Sequence, residues 1–286
     1  MSEHDDASTH EAPQTSSDPD AAPSNPRSEI RNPESDEPKS NDPEKDARRA
    51  ARRAEREKQS TTEIVHFRPG QPEHRWSIKF WRSVVVLFSR LYHHLSVRTR
   101  NPLPASGAAI LVCNHISGLD PVLLQAASSR LIVWMMAKEY YDMKSMKWFF
   151  KTVEAIPVAR GQRDTSSTRA AIRALEAGRV LGIFPEGKIE TSRDLLPFHI
   201  GVAMIALRTG VPVYPAYLDG TTRGKEMLPA VLMPNTISLR FGPKVEFDTA
   251  DSSKEGLTKA TQAIQAAVES LRLQENELRQ EKNLSV

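Results

Sequence analysis

An apolar run, Ala108 to Val112, ends in Cys113-Asn114-His115-Ile116-Ser117-Gly118-Leu119-Asp120-Pro121, placing a histidine at its end and an aspartate five residues on. An uninterrupted stretch of Ala, Ile, Leu and Val reads as a buried strand, and Ser117-Gly118 supplies turn-forming residues. His115 is then carried at the strand's carboxyl end, pointing off the sheet. Imidazole is the side chain whose ordinary pKa lets it take and return a proton near neutrality, and a carboxylate that fixes its tautomer and stabilises the imidazolium improves it. Asp120 is placed to be that carboxylate if the turn folds back. The same Asp-Pro pair also matches a helix start, with Asp as N-cap and Pro at the first helical position. On this stretch alone both readings stand.

Other apolar runs stop at polar residues in the same way. Ala155 to Ala159 ends in Arg160-Gly161, and Val180 to Phe184 ends in Pro185-Glu186-Gly187-Lys188. Further strands are expected over Leu131 to Ala137, Pro212 to Leu218 and Ile237 to Phe241. Helices are expected over Pro121 to Ala127, Ser145 to Lys151, Thr165 to Ala177, 199–209 and about Ser253 to Arg279. Strands alternating with helices indicate an α/β fold with a mainly parallel sheet flanked by helices. In such sheets ligands gather at the strands' carboxyl ends. One edge would then collect a base with its orienter (His115, Asp120), a cation for a phosphate (Arg160), a carboxylate (Glu186) and a glycine that lets backbone approach closely (Gly187). Singly, Arg160-Gly161 is only a turn, Pro-Glu-Gly an ordinary loop signal and Glu186 a solvated carboxylate.

The elements that position these residues occupy only part of the chain. Of its 286 residues, 26% are charged and 39% hydrophobic, with a net charge of +3 and one cysteine. Met1 to Asp46 holds 13 acidic residues, 4 basic ones and seven prolines, and Ala47 to Ser60 holds 6 basic and 2 acidic. Residues 1–60 are therefore expected to be a disordered tail, acidic and then basic, unable to bury enough surface to offset its chain entropy. The remainder from Thr61 carries +8, which suits phosphates, nucleotides or an acidic membrane surface. A single cysteine excludes an internal disulfide framework and a thiolate zinc cluster, and fits a reducing compartment. The amino terminus has no apolar signal core, and nowhere do eighteen apolar residues run together, so neither a standard signal peptide nor a conventional transmembrane helix is expected.

Residues 61–100 read as an amphipathic helical region. Along Trp76 to Val97, Trp76, Phe80, Trp81, Val84, Leu87, Phe88, Leu91, Tyr92 and Leu95 fall on one half of a helical wheel, opposite Lys79, Arg82, Ser89, Arg90 and His93. An aromatic face opposed by cations without carboxylates suits the headgroup layer of a membrane, and the arginine-rich stretch before it would add attraction to anionic lipid. The alternative is that the apolar face packs on the domain's own sheet. The arginine-rich stretch also admits a nucleic-acid arm, but it lacks interleaved aromatics, and no nucleic-acid partner is expected.

Four blocks in order make the chain resemble the glycerolipid acyltransferases, the PlsC-like 1-acylglycerol-3-phosphate acyltransferase superfamily. They are Asn114-His115-Ile116-Ser117-Gly118-Leu119-Asp120 for the NHxxxxD motif, Ile156-Pro157-Val158-Ala159-Arg160, Phe184-Pro185-Glu186-Gly187, and Val211-Pro212-Val213-Tyr214-Pro215. The resemblance covers roughly Pro102 to Pro243 and implies an acyltransferase domain over 101–286. By it, His115 is the general base that deprotonates an acceptor hydroxyl as the oxygen attacks an acyl thioester, and Asp120 orients it. Asn114, Arg160, Phe184, Pro185, Glu186 and Gly187 would form the substrate-binding set. Arg160 would hold the acceptor phosphate through paired hydrogen bonds, while Glu186 would hold the arginine or a glycerol hydroxyl. No metal or cofactor is implied, only acyl-coenzyme A or acyl carrier protein as co-substrate.

The implied reaction is acylation of a lysophospholipid at the cytoplasmic face of a membrane, 1-acylglycerol 3-phosphate to phosphatidate foremost, by a peripheral enzyme. Acylation of glycerol 3-phosphate or a lyso-aminolipid, and a catalytically silent lipid-surface protein, are the alternatives. A serine hydrolase is disfavoured by the absence of a Gly-x-Ser-x-Gly elbow. Two departures bear on the acceptor. The family often has threonine where this chain has Lys188, and often a lysine after the phenylalanine where this chain has Phe198-His199.

Overall fold

A computed structural model describes Phe67, Pro72 and residues 76–159, 165–192 and 194–284, with side chains as far as Glu281. The amino-terminal tail and Arg160 lie outside the described residues. The helix α1 (Trp76–Leu91) leads into a seven-stranded sheet built from β1 (Ser96–Val97), β2 (Ala109–Cys113), β3 (Ile132–Ala137), β4 (Ile156–Val158), β5 (Val180–Ile183), β6 (Val213–Asp219) and β7 (Ser238–Phe241). Between them run α2 (Asp120–Ala126), α3 (Lys138–Tyr141), α4 (Lys147–Thr152), α5 (Thr165–Glu176), α6 (Gly201–Thr209) and α7 (Met227–Leu232), and α8 (Lys254–Leu284) follows β7.

The sheet order is β1-β7-β6-β2-β5-β3-β4. The five strands from β6 to β4 are mutually parallel; β7 pairs antiparallel with β6, and β1 runs parallel to β7. Alternation along β2 divides the core. Ile110 and Val112 join the cluster roofed by Ala170, Ala171 and Ala174 of α5, Val202 and Ile205 of α6, and Ile264 and Val268 of α8. Ala109, Leu111 and Cys113 join the opposite cluster, with Leu123 and Leu124 of α2 and Ala230 of α7. Because both faces are covered, every β2 residue is fully buried, which explains its unbroken apolar sequence.

One feature of this region differs from the sequence expectation. The first helix stops at Leu91 instead of continuing to Val97: His94 adopts a left-handed conformation (φ 42°), the Leu95 amide returns to Ser89 O at 3.0 Å, and Ser96–Val97 becomes the edge strand on β7. The aromatic face of α1 does not pack on the sheet, the alternative to the membrane reading, although Trp81 meets Trp148 and Phe149 of α4. Ile78 and Ser89 are buried and Arg82 Nε donates to Ser128 O at 2.9 Å, whereas Trp76, Phe80, Trp81, Val84, Leu87 and Leu91 are exposed. The contacts with α2 therefore use the narrower, more polar stripe. Among the described residues, no helix is long and apolar enough to cross a membrane.

Candidate active site

The carboxyl end of β2 delivers Asn114 and His115, and the turn after them folds back as the spacing requires. His115 Nδ1 lies 3.0 Å from Asp120 Oδ2, with the Asp120 side chain fully buried and that of His115 17% exposed. The same carboxylate oxygen accepts the amides of Ile116 at 2.7 Å and Ser117 at 2.9 Å, while Thr221 Oγ1 donates to Oδ1 at 3.3 Å. With its acceptor oxygen facing the ring, Asp120 favours the tautomer that carries the proton on Nδ1. His115 Nε2 is then left with a lone pair, the arrangement a general base needs. The N-cap reading of Asp-Pro is not realised: Leu119 holds the cap position without a side-chain bond, Asp120 is the first residue of α2, and its carboxylate turns back to His115 and the amides before the helix instead.

The ring is clamped from the side. Phe184 stacks on His115 with centroids 4.0 Å apart, and Trp134 of β3 stacks on Phe184 at 4.7 Å. This layering requires Gly182: it sits opposite Trp134 in the ladder, and a Cβ there would come within 2.5 Å of the indole. After β5, Phe184 to Gly187 forms a β-turn closed by Gly187 N to Phe184 O at 3.1 Å, with Pro185 in the second position and Gly187 at φ 71°.

The turn aims Glu186 inward. Glu186 Oε1 accepts the His115 amide at 3.2 Å, and among the described residues the buried Oε2 has no hydrogen-bond partner. Burial pushes its carboxyl up to about 7, an effect to which the nearby Glu190 and Asp120 charges add. One oxygen of Glu186 thus steadies the His115 backbone, and the other is available to a hydroxyl donor.

Asn114 has a different setting. It is buried, its Nδ2 donates to Leu218 O at 2.9 Å, and its Oδ1 accepts Leu218 N at 2.8 Å. The side-chain amide imitates a strand residue and fastens the end of β2 to β6. Cys113 is buried beside it and donates to Asn114 Oδ1 at 3.3 Å. Burial lifts its thiol well above the ordinary range, so no thiolate is available for a covalent intermediate. Of the two departures, His199 packs its ring on Gly187, within 3.0 Å of where a Cβ would stand, and its amide donates to Pro185 O at 2.8 Å; Lys188 is exposed on the same turn. Both therefore border the Glu186 turn.

The sequence reading missed four contributors. Thr221 follows β6 and reaches Asp120, the Glu190 amide donates to His115 O at 2.6 Å, and Trp134 backs Phe184. Gly118 donates to Lys225 O at 2.9 Å, and a Cβ on it would overlap the amide nitrogen of Met227. Thr221 sits past a strand's carboxyl end like His115 and Glu186, and the same reasoning extends to it; Trp134 acts through stacking across neighbouring strands, and Glu190 and Gly118 through bonds between distant loops.

A family model described as Acyltransferase matches residues 94–219. The chain is 30% identical over 204 residues to the 1-acyl-sn-glycerol-3-phosphate acyltransferase of Bacillus subtilis (strain 168), covering 71% of this chain and 98% of that protein. It is 28% identical over 196 residues to the 1-acyl-sn-glycerol-3-phosphate acyltransferase of Cocos nucifera, covering 61% of each. In fold it is similar to the crystal structure of the 1-acyl-sn-glycerophosphate acyltransferase PlsC from Thermotoga maritima, with a TM-score of 0.53 and 21% identity over 68% of this chain and 80% of that one. The chain belongs to the PlsC-like acyltransferase family and is an acyltransferase.

Proposed function

We propose that the protein transfers a fatty acyl group from an acyl thioester to the free hydroxyl of 1-acylglycerol 3-phosphate, giving phosphatidate. The observation that carries the reading is the His115 Nδ1 to Asp120 Oδ2 contact of 3.0 Å inside the matched region, supported by relatives named for that acceptor. His115 Nε2 takes the hydroxyl proton as the oxygen attacks the thioester carbonyl. The tetrahedral adduct collapses to the ester, and the departing thiolate recovers the proton from the imidazolium, so the balance closes without a covalent acyl-enzyme. Asp120 keeps the proton on Nδ1 and stabilises the charged ring.

In this reading the unpartnered Glu186 Oε2 accepts a glycerol hydroxyl, Gly187 lets the acceptor approach the turn, and Phe184 and Pro185 form its wall. Asn114 fastens β2 to β6 and does not touch the acceptor. Arg160, outside the described residues, is assigned the phosphate. The exposed aromatic face of α1 is assigned to the headgroup layer of the membrane that holds the substrate, which makes the enzyme peripheral. A panel of 1-acylglycerol 3-phosphate, glycerol 3-phosphate and lyso-aminolipid acceptors with a labelled acyl thioester tests the assignment. The first is expected to give the highest kcat/KM; preference for another would move the acceptor, and labelling of none would end the enzymatic reading. Arg160→Ala is expected to raise the acceptor KM with little effect on that of the thioester; equal effects would refute a phosphate role.

A further inference from the structure

Three exposed apolar surfaces lie on α1, α4 and α7, and direct contacts join them. Trp81 of α1 lies 6.4 Å from the exposed Trp148 and 6.3 Å from Phe149 of α4. At the other end, Tyr92 donates its hydroxyl to Leu232 O of α7 at 2.8 Å, and His93 is fully buried there with its ring edge-on to Phe88 at 4.8 Å. The short helix α7 buries Ala230 in the same core cluster as Ile116 and Leu119 of the catalytic turn, yet leaves Leu228 71% and Leu232 66% exposed, with Met233 exposed beyond them. Its amino end abuts that turn, since Gly118 bonds Lys225 O and has no room for a side chain against Met227.

The charge pattern says what covers this surface. From Trp76 to Leu119 the chain carries Lys79, Arg82, Arg90, Arg98 and Arg100 and not one carboxylate; α7 itself carries none, with the exposed Lys225 and Glu226 side by side at its amino end. Apolar helices bordered by cations and lacking carboxylates match an anionic leaflet: the rings and leucines enter the acyl boundary while the cations meet the headgroups.

We infer that α7 is a second membrane-inserting element, which with α1 seats the protein on an anionic leaflet and holds the His115–Asp120 turn against the bilayer surface. This inference rests on the membrane reading of α1 given above and adds α7 to it. Docking through α1 alone would leave the catalytic turn free to tilt away from the lipid; two helices joined through Tyr92 fix its height.

The single native cysteine is buried, so a label can be placed at one chosen site. Leu228→Cys and Leu232→Cys are labelled with an environment-sensitive fluorophore, with exposed Thr258→Cys on α8 as control. Each is titrated with vesicles of phosphatidylcholine and phosphatidylglycerol in equal parts. Both α7 labels are expected to shift to the blue and to be quenched by a lipid-soluble quencher, and the control is not. In parallel, Leu228→Gln/Leu232→Gln is expected to lower vesicle partitioning about 10- to 100-fold with an unchanged thermal midpoint. If the α7 labels stay in water and the double variant partitions like the parent, while Leu87→Gln/Leu91→Gln releases the protein, the inference fails and the reading of α1 survives. If the parent does not bind vesicles, both fail. A parental dimer that the α7 variant makes monomeric, with vesicle binding intact, would assign the surface to a second copy and overturn the inference.

Discussion

Replacing Glu186 by glutamine converts a buried carboxyl into its neutral isostere, and the consequence depends on pH in a calculable way. Burial lifts this group from an ordinary 4.5 to about 7. The folded protein therefore binds the proton more tightly than the unfolded chain does. Its contribution to stability is complete below pH 4.5 and is lost as the pH rises through about 7. At about 1.4 kcal/mol per pH unit the full loss is about 3 kcal/mol. The side chain is only 2% exposed, so little solvent screening reduces this figure. Glutamine carries no such slope and still offers an acceptor for the His115 amide. Urea unfolding of parent and Glu186→Gln at about pH 5 and about pH 8.5 is the assay, and the variant's relative stability is expected to grow by about 2–3 kcal/mol across that interval. The comparison cancels any fixed cost of the substitution. A difference that is constant with pH, or that moves the other way, would refute the assignment of a buried Glu186 whose proton is held up to about pH 7.

Other expectations are simpler. Asp120→Asn should lower turnover about 10²- to 10⁴-fold with the acceptor KM little changed, because the ring loses the partner that fixes its tautomer; steady-state kinetics would contradict this if the loss fell in KM. Thr221→Val removes the hydroxyl on Asp120 Oδ1 and should cost about 1 kcal/mol in transition-state stabilisation, or about fivefold in turnover, with Thr221→Ser restoring it. Asn114→Ala leaves the Leu218 amide and carbonyl without their side-chain partners and should destabilise the fold by about 2–3 kcal/mol in denaturant titration. A stability close to the parent's would show that another group or water takes the amide's place.

Much of this molecule is legible in its sequence because β2 and β5 are buried on both faces and so appear as unbroken apolar runs, with β3 and β6 largely apolar beside them. Their polar terminators gather at one sheet edge, which is why His115, Asp120 and Glu186 stand out in the sequence as candidates. Short elements are not. The two-residue strand Ser96–Val97 has no periodicity and exists because β7 offers it an edge; α3 and α7, of four and six residues, are too short for a periodic signal and owe their existence to packing. The disposition of α1 is also invisible to a helical wheel, which identifies an apolar face without saying which face the domain takes. Here the domain takes Ile78 and Ser89. Asn114 illustrates a related limit: motif membership makes it a ligand candidate, and only the 2.8 Å and 2.9 Å bonds to Leu218 identify it as a fastener.

The most direct test is acyl transfer by purified His115→Ala, followed as thiol release from acyl-coenzyme A with 1-acylglycerol 3-phosphate present. Turnover is expected to fall at least about 10²- to 10⁴-fold with the thermal midpoint near the parental value. Transfer at the parental rate by a folded variant would show that the proton leaves the acceptor by another route and would contradict the assignment of His115 as the base.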